Sequence, residues 1–456
     1  GIPLGVSATY IFLFLLLGAF AKRTGLGDLF IDLALSLTGR TTGGPAKAAV
    51  VSSGLMGSIS GSSVANTVTT GSFTIPLMKR VGYNSRFAAA VEAAASTGGQ
   101  IMPPIMGAAA FIMAEFIGVP YVTIAKAAIL PAILYYITVG LMVHFEAKKQ
   151  GLQGMSDDLI PKFLDVIKNR GHMIAPLIII FYYLFRGYTP LRAAFLGIIV
   201  SFALSFIKED TRMNLQDLLD TLREGAISAL GVAAACAAVG FIVGVTTLTG
   251  LGLKFTSLTV ALAQGNLFLA LFFTMVACTI LGTGLPTTAT YIVLATMAAP
   301  ALTQLGVPIL AAHLFVLYFG VVADLTPPAA LAAYAGAGIS GSNPLKTGLT
   351  AVKLAIAGFV VPFVFAYSPS LLLIDTTAVQ VILITGSSIL GVFSLAAAVL
   401  GYLNRKTSNI ERLILLGSAY GLLIPGWQSD ILGIILLGAV LYLQFKNKEE
   451  YKAQAA

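Results

Sequence analysis

The chain has 456 residues, 57% of them hydrophobic and only 10% charged, with a net charge of +8 and a mean hydropathy of +0.91. Soluble domains carry about 25% charged residues, so this composition excludes an ordinary soluble fold and describes an all-α, polytopic protein of the lipid bilayer. The basic excess falls in short loops, as the positive-inside rule expects, and no nucleic-acid partner is read from it. Cys236 and Cys278 make neither a disulfide framework nor a CxxC metal motif, and His144, His172 and His313 are too scattered for a ligand cluster. The chain begins at Gly1 with no Met and no signal-peptide pattern, so an upstream portion is expected to be missing.

Roughly 20 apolar residues are needed to cross a bilayer. Residues 2–20 supply a first crossing that ends at Lys22-Arg23, and residues 27–37, with Asp28 and Asp32 among Leu and Ile, predict an amphipathic surface arm. Residues 45–79 are too long for one crossing and are broken at the centre by Gly57, Ser58, Ser60, Gly61, Ser62 and Ser63. Arg40 and Lys47 flank one end and Lys79-Arg80 the other, so both ends are placed in the cytoplasm and the segment is read as a re-entrant helical hairpin. Residues 84–117 predict a broken helix, interrupted by Ser96-Thr97-Gly98-Gly99-Gln100 and Pro103-Pro104, because proline removes a backbone donor and clashes with the preceding turn. Residues 121–145 return to Lys148-Lys149, and the basic loop to Arg170 predicts an amphipathic surface segment. Residues 173–185 and 190–207 cross out and back, and 225–249 cross outward.

Between Phe255 and Ala323 there is no Lys, Arg, Asp or Glu. This stretch predicts a second hairpin with arms near 266–280 and 286–300, opening from the outer side. Residues 306–328 and beyond predict a second broken helix, interrupted by Asp324-Leu325-Thr326-Pro327-Pro328. Asn343-Pro344 marks a turn, residues 345–366 cross again, and apolar segments near 377–403, 411–425 and 429–445 lead to a basic cytoplasmic tail from Lys446. The organisation is a scaffold helix and arm (1–44), a first repeat (45–145), scaffold helices and arms (146–264), a second repeat (265–366) and additional C-terminal crossings (367–456).

The two repeats are visible as punctuation. Pro76 and Pro300, Gly82 and Gly306, Pro103-Pro104 and Pro327-Pro328, and Pro120 and Pro344 all lie 224 residues apart. The hairpin tips keep the same register, Ser58 on Gly282 and Ser60 on Gly284. Charge flanks send the first broken helix outward and the second inward, so the repeat is inverted, an arrangement that places substrate and ion sites on discontinuous helices near the midplane.

Each break leaves helix N-termini and free carbonyls at mid-membrane depth, where unpaired backbone survives only in protein or at a wet cavity. A hard cation such as Na⁺ takes several oxygen ligands, and Ser60, Ser62, Ser63, Asn66 and Thr67 supply them at one tip, with carbonyls of Gly98, Gly99 and Pro103 opposite. In the second half Gly282, Thr283, Gly284, Thr287 and Thr288 face Asp324, Thr326 and Pro327. Positive half-helix ends at the same place favour an anion. Asp324 is the only acid between Glu224 and Asp375; so deep an acid is a functional candidate by default, the alternative being a loop-edge acid near the surface. Glu92 and Glu115 are expected to pair with a neighbouring Arg or Lys, the alternative being ion binding. The Ser/Thr-rich tips could also serve tight helix packing through small residues. No P-loop, HExxH, GxSxG triad or Rossmann fingerprint stands up, so no enzyme is expected.

The tip Gly57–Thr67 with the break Gly98–Pro104, and Gly282–Thr288 with Asp324–Pro328, resemble the large membrane subunit of tripartite ATP-independent periplasmic (TRAP) transporters over roughly residues 1–370. The extra C-terminal crossings are similar to the TAXI branch, in which small and large membrane parts are often fused. The resemblance implies a multi-pass protein of a bacterial or archaeal inner membrane, working as an elevator with sodium coupling. It implies two partners: a soluble extracytoplasmic substrate-binding protein and a small membrane subunit or fused N-terminal equivalent. It implies a small carboxylate substrate of the C4-dicarboxylate, glutamate or 2-oxoglutarate class. Carried over by motif, one Na⁺ site uses Ser60, Ser62 and Asn66 with carbonyls near Gly98 and Pro103. The other uses Gly282, Thr283, Gly284 and the break from Asp324 through Thr326 to Pro327. The substrate sits near Ser62, Ser63, Thr97, Pro286 and Thr287, although no deep arginine is present to meet a carboxylate. The competing readings are a stand-alone divalent-anion/sodium symporter of the same wider superfamily, and a non-transporting membrane scaffold or membrane enzyme.

Overall fold

The regular elements of the computed structural model are helices; the backbone is described for residues 1–455 and side chains for residues 1–446, and no β-strand forms among them. Six helices are long and apolar enough to cross a membrane, the first spanning Ile2–Arg23. The long helix Leu215–Thr249 buries only 17% of its most apolar window, and its Phe241 and Leu248 are exposed. A contiguous apolar exterior of this kind needs hydrocarbon around it.

The first hairpin consists of Gly44–Ser60 and Ser63–Arg80. Two residues reverse the chain. Gly61 adopts φ +64, a conformation that a Cβ disfavours, and its N–H closes on the Gly57 carbonyl at 3.1 Å. Ser62 then caps the outgoing arm by accepting the Ala65 N–H at 3.3 Å. The second hairpin pairs Leu267–Gly282 with Thr287–Met297, and the chain turns through Gly284 at φ +79.

The broken helices are Ser85–Gly99 with Ala108–Ile117, and Ile309–Ala323 with Leu331–Ser340. Both breaks carry a cis bond within the double proline, Pro103-Pro104 and Pro327-Pro328. One backbone bond spans each break, with equivalent acceptors and donors one residue out of register: Gly107 N–H donates to the Gln100 carbonyl at 2.8 Å, and Ala332 N–H to the Asp324 carbonyl at 3.3 Å. Gln100 and Asp324 are themselves 224 residues apart, so the repeat read from proline spacing extends to backbone geometry.

The repeats interlock. Ala108–Ile117 packs against Thr287–Met297 and Ile309–Ala323, whereas Leu331–Ser340 packs against Ser63–Arg80 and Ser85–Gly99. The second half of each broken helix thus lies among elements of the other repeat. The approach is close: a Cβ on Gly336 would sit 3.0 Å from the Ala89 carbonyl oxygen.

A separate layer is formed by Ile2–Arg23, Pro190–Ser205 and Leu215–Thr249. Lys22 pairs with Glu224 at 2.6 Å and Arg23 with Asp217 at one end of this layer. The long helix starts ten residues before the expected 225 because Asn214 and Asp217 form a reciprocal capping box. Leu251–Ala263 is a further helix ahead of the second hairpin, and the crossing expected over 345–366 is two helices, Pro344–Leu354 and Ala357–Tyr367. The C-terminal helix Ala378–Leu400 packs on Tyr121–Gln150 through Phe393 against Phe145, ring centroids 5.6 Å apart, while Asn409–Leu423 packs on Ala378–Leu400 and Trp427–Ala455 on Asn409–Leu423. The side chains of the basic tail beyond Lys446 lie outside the described residues.

Candidate functional site

The two hairpin tips meet at Asp324. Ser63, the first residue of its helix, donates its hydroxyl to Asp324 Oδ2 at 2.9 Å, and Thr287, the first residue of its own, donates to the same oxygen at 2.9 Å. Ser63 and Thr287 are 224 residues apart, so one carboxylate receives the same position of both repeats. Asp324 is buried, at 5% exposure, which rules out the loop-edge reading.

Beside Asp324 lies a cavity of about 220 Å³. Ser60, Gly61, Ser62, Ser63 and Gln100 face it from the first repeat, and Pro286, Thr287, Thr288 and Asp324 from the second. Ile11, Phe14 and Phe111 form an apolar wall with Val232 of the long helix. No Lys, Arg or His lines it. Two helices begin at its edge, at Ser63 and Thr287, and present the partly positive end of their backbone dipoles.

The polar groups of the first repeat separate into satisfied donors and unsatisfied oxygens. Asn66 donates both Nδ2 hydrogens, to the Ser53 carbonyl at 2.9 Å and to Ser96 Oγ at 3.0 Å. Its Oδ1 is buried without a protein hydrogen-bond partner, as are Ser60 Oγ, Thr67 Oγ1, Thr97 Oγ1 and Gln100 Oε1. Burying such groups unpaired is unfavourable by roughly 1–3 kcal/mol each. All five are oxygen donors, the ligand type that a hard cation takes.

The remaining sequence-predicted residues stand around this centre. A Cβ on Gly57 would lie 3.0 Å from the Gly99 Cα, so hairpin and broken helix touch backbone to backbone. Gly98 lies under Tyr135 and Tyr136. Pro103 belongs to the cis-proline break, whose next carbonyl, that of Pro104, accepts the Tyr121 hydroxyl at 2.9 Å. In the second repeat Gly282 packs on Ala323 and Thr290. Thr283 donates to the Ile280 carbonyl at 2.7 Å and Thr326 to the Val322 carbonyl at 2.8 Å, while Pro327 packs on Gly348. Asn66, Thr97, Gly98, Pro103, Gly282, Thr283, Gly284, Thr326 and Pro327 do not line the cavity.

Glu92 corrects an expectation. No Arg or Lys pairs with it among the described residues; it has no exposed surface, and hydroxyls of Ser53, Thr70, Thr74 and Ser96 hold it instead. Glu115 is exposed at the far end of its helix and also forms no ion pair among the described residues. Sequence reasoning missed Gln100 as a lining residue, although its 224-residue spacing from Asp324 marks it. It also missed the wall from Ile11, Phe14 and Val232, which nothing distinguishes from other apolar residues on apolar helices.

Residues 3–380 match the family described as the tripartite ATP-independent periplasmic transporter, DctM component. A putative TRAP transporter large permease protein of Haemophilus influenzae is 26% identical over 323 residues, 69% of this chain and 73% of the relative. The C4-dicarboxylate TRAP transporter large permease protein DctM of Pseudomonas aeruginosa is 28% identical over 206 residues, 44% of this chain and 47% of that protein. The isethionate TRAP transporter permease protein DctMQ of Oleidesulfovibrio alaskensis is 23% identical over 377 residues, 78% of this chain and 56% of that protein. The chain spans about half the length of several relatives that it matches.

Proposed function

We propose that this chain, which belongs to the DctM component family of tripartite ATP-independent periplasmic transporters, is the membrane permease of a sodium-driven secondary transporter importing a small organic acid. The observation that carries this reading is the meeting of Ser63 and Thr287, one from each hairpin tip, on the single carboxylate of Asp324. A substrate carboxylate near Ser62, Ser63, Pro286 and Thr287 faces two helix N-termini and several hydroxyl donors, and Thr97, expected beside the substrate, does not line the cavity and is given to the cation. Bound sodium supplies the positive charge that the cavity side chains lack. Ser60, Ser62, Asn66, Gly98 and Pro103 hold it in the first repeat, joined by the unpaired oxygens of Thr67, Thr97 and Gln100, and Gly282, Thr283, Gly284, Asp324, Thr326 and Pro327 hold it in the second.

Movement follows the interlocking. The two re-entrant hairpins and two broken helices form one body, which slides as an elevator against Ile2–Arg23 and Leu215–Thr249. A soluble extracytoplasmic protein delivers the substrate, and a small membrane subunit, separate or fused upstream, completes the permease in a bacterial or archaeal inner membrane. The C-terminal helices Ala378–Leu400, Asn409–Leu423 and Trp427–Ala455 support a reading of the chain as a member of the TAXI branch. The substrate belongs to the C4-dicarboxylate, glutamate or 2-oxoglutarate class.

The test is reconstitution into liposomes with the binding protein and small subunit, following labelled succinate, glutamate and 2-oxoglutarate. Uptake of one of them is expected under an inward Na⁺ gradient and is lost when K⁺ replaces Na⁺. Undiminished uptake in K⁺ overturns sodium coupling. Full uptake without the binding protein points to the stand-alone symporter instead.

A further inference from the structure

Glu92 sits mid-helix in Ser85–Gly99, between Ala88–Ala90 and Ala93–Ala95, with no accessible surface. A buried acid at this depth is expensive, and simple packing here is done by alanine. The hydroxyls around it come from three helices: Ser53 from Gly44–Ser60, Thr70 and Thr74 from Ser63–Arg80, and Ser96 one turn along its own helix. Each of these hydroxyls lies within donating distance of a Glu92 oxygen, which acts as the acceptor.

The direction of those bonds propagates to Asn66. A serine hydroxyl has one hydrogen, and that of Ser96 goes to Glu92 Oε1 at 3.2 Å. Ser96 Oγ is left as an acceptor, and Asn66 Nδ2 donates to it at 3.0 Å. The second Nδ2 hydrogen goes to the carbonyl of Ser53, a residue whose own hydroxyl is also held by Glu92. With both amide hydrogens engaged on the Glu92 side, the Asn66 oxygen is turned away from it, buried and without a protein partner. The opposite amide orientation would set Oδ1 against the Ser53 carbonyl oxygen, an unfavourable acceptor pair.

The geometry points to Glu92 as a positioning residue for the cation site of the first repeat: through Ser96 and Ser53 it aims the Asn66 oxygen at the ion. This rests on the sodium-binding reading above. The connected hydroxyl–amide chain polarises the ligand.

The experiment measures the thermal midpoint of the purified full chain against Na⁺ concentration, alongside Na⁺-dependent uptake by the reconstituted complex. Glu92→Gln and Ser96→Ala are expected to raise the half-saturating Na⁺ concentration by about tenfold, as loss of one buried hydrogen bond does, with the maximal rate retained. Ser96→Thr keeps the hydroxyl and is expected to stay near wild type, a rescue that a purely structural role does not require. If Glu92→Gln fails to fold, the Ser96 pair decides the matter alone. Unchanged half-saturation in Ser96→Ala, with a wild type that responds to Na⁺, overturns the positioning role and leaves the sodium reading intact. A wild type with no response to Na⁺, against choline at equal ionic strength, takes both down.

Discussion

At the scale of residues, Asp324 joins elements that the chain separates by 261 and 37 positions, those to Ser63 and Thr287. Replacing it by Asn keeps the shape and removes the charge. Asp324→Asn is therefore expected to remain folded, by its elution profile and thermal midpoint, while Na⁺-driven uptake falls by more than about tenfold. Thr287→Ala removes one hydroxyl from a charged acceptor, a bond of roughly 1.5–3 kcal/mol. Its uptake is expected to drop less than that of Asp324→Asn, and equal activity to wild type would remove Thr287 from the site. Asp324 was legible in the sequence because a lone acid in a long uncharged run is costly to keep in a bilayer unless it is used. Glu92 was not, because its partners lie on three helices at separations of 39, 22, 18 and 4 residues, a pattern with no local period.

At the scale of elements, the contact between hairpin and broken helix is set by two glycines. A Cβ on Gly99 would come within 2.5 Å of the Gly57 Cα, against backbone that cannot rotate aside. Gly99→Ala is expected to lower stability by about 1–3 kcal/mol, as overpacking does, seen as a reduced thermal midpoint. Gly338→Ala meets nothing within 4 Å and is expected to leave the midpoint unchanged or slightly raised, given the higher helix propensity of alanine. The hairpin tips could be read from sequence because Gly61 and Ser62 perform local tasks, a left-handed turn and an N-cap. The start of the long helix was placed too late because an amphipathic first turn, Leu215 to Asp220, does not resemble an apolar crossing. The interruption between Leu354 and Ala357 has no Pro or Gly within it, so nothing in the residues announced it.

At the scale of the whole molecule, the cavity is built within residues 11–331, and among the described residues none of the C-terminal helices lines it. A chain ended after Thr376 is therefore expected to keep the Na⁺-dependent rise in thermal midpoint at an unshifted half-saturating concentration, while the midpoint itself falls because the face of Tyr121–Gln150 around Phe145 loses its cover. Loss of the Na⁺ response in a truncated chain that still folds would place part of the site in residues 377–456. The likeness of the two hairpin and broken-helix segments was legible as matched prolines, yet their interlocking was not. Spacing reports that two segments are alike, and says nothing of which copy packs against which.

That exchange of halves has a consequence for either half taken alone. A polypeptide with a single hairpin and a single bent helix would expose the surface that Leu331–Ser340 or Ala108–Ile117 now covers. It could hide that surface by clasping a second copy of itself. The present chain supplies both partners in one polypeptide, and it sets a carboxylate, Asp324, in one unit where the other carries the neutral amide of Gln100.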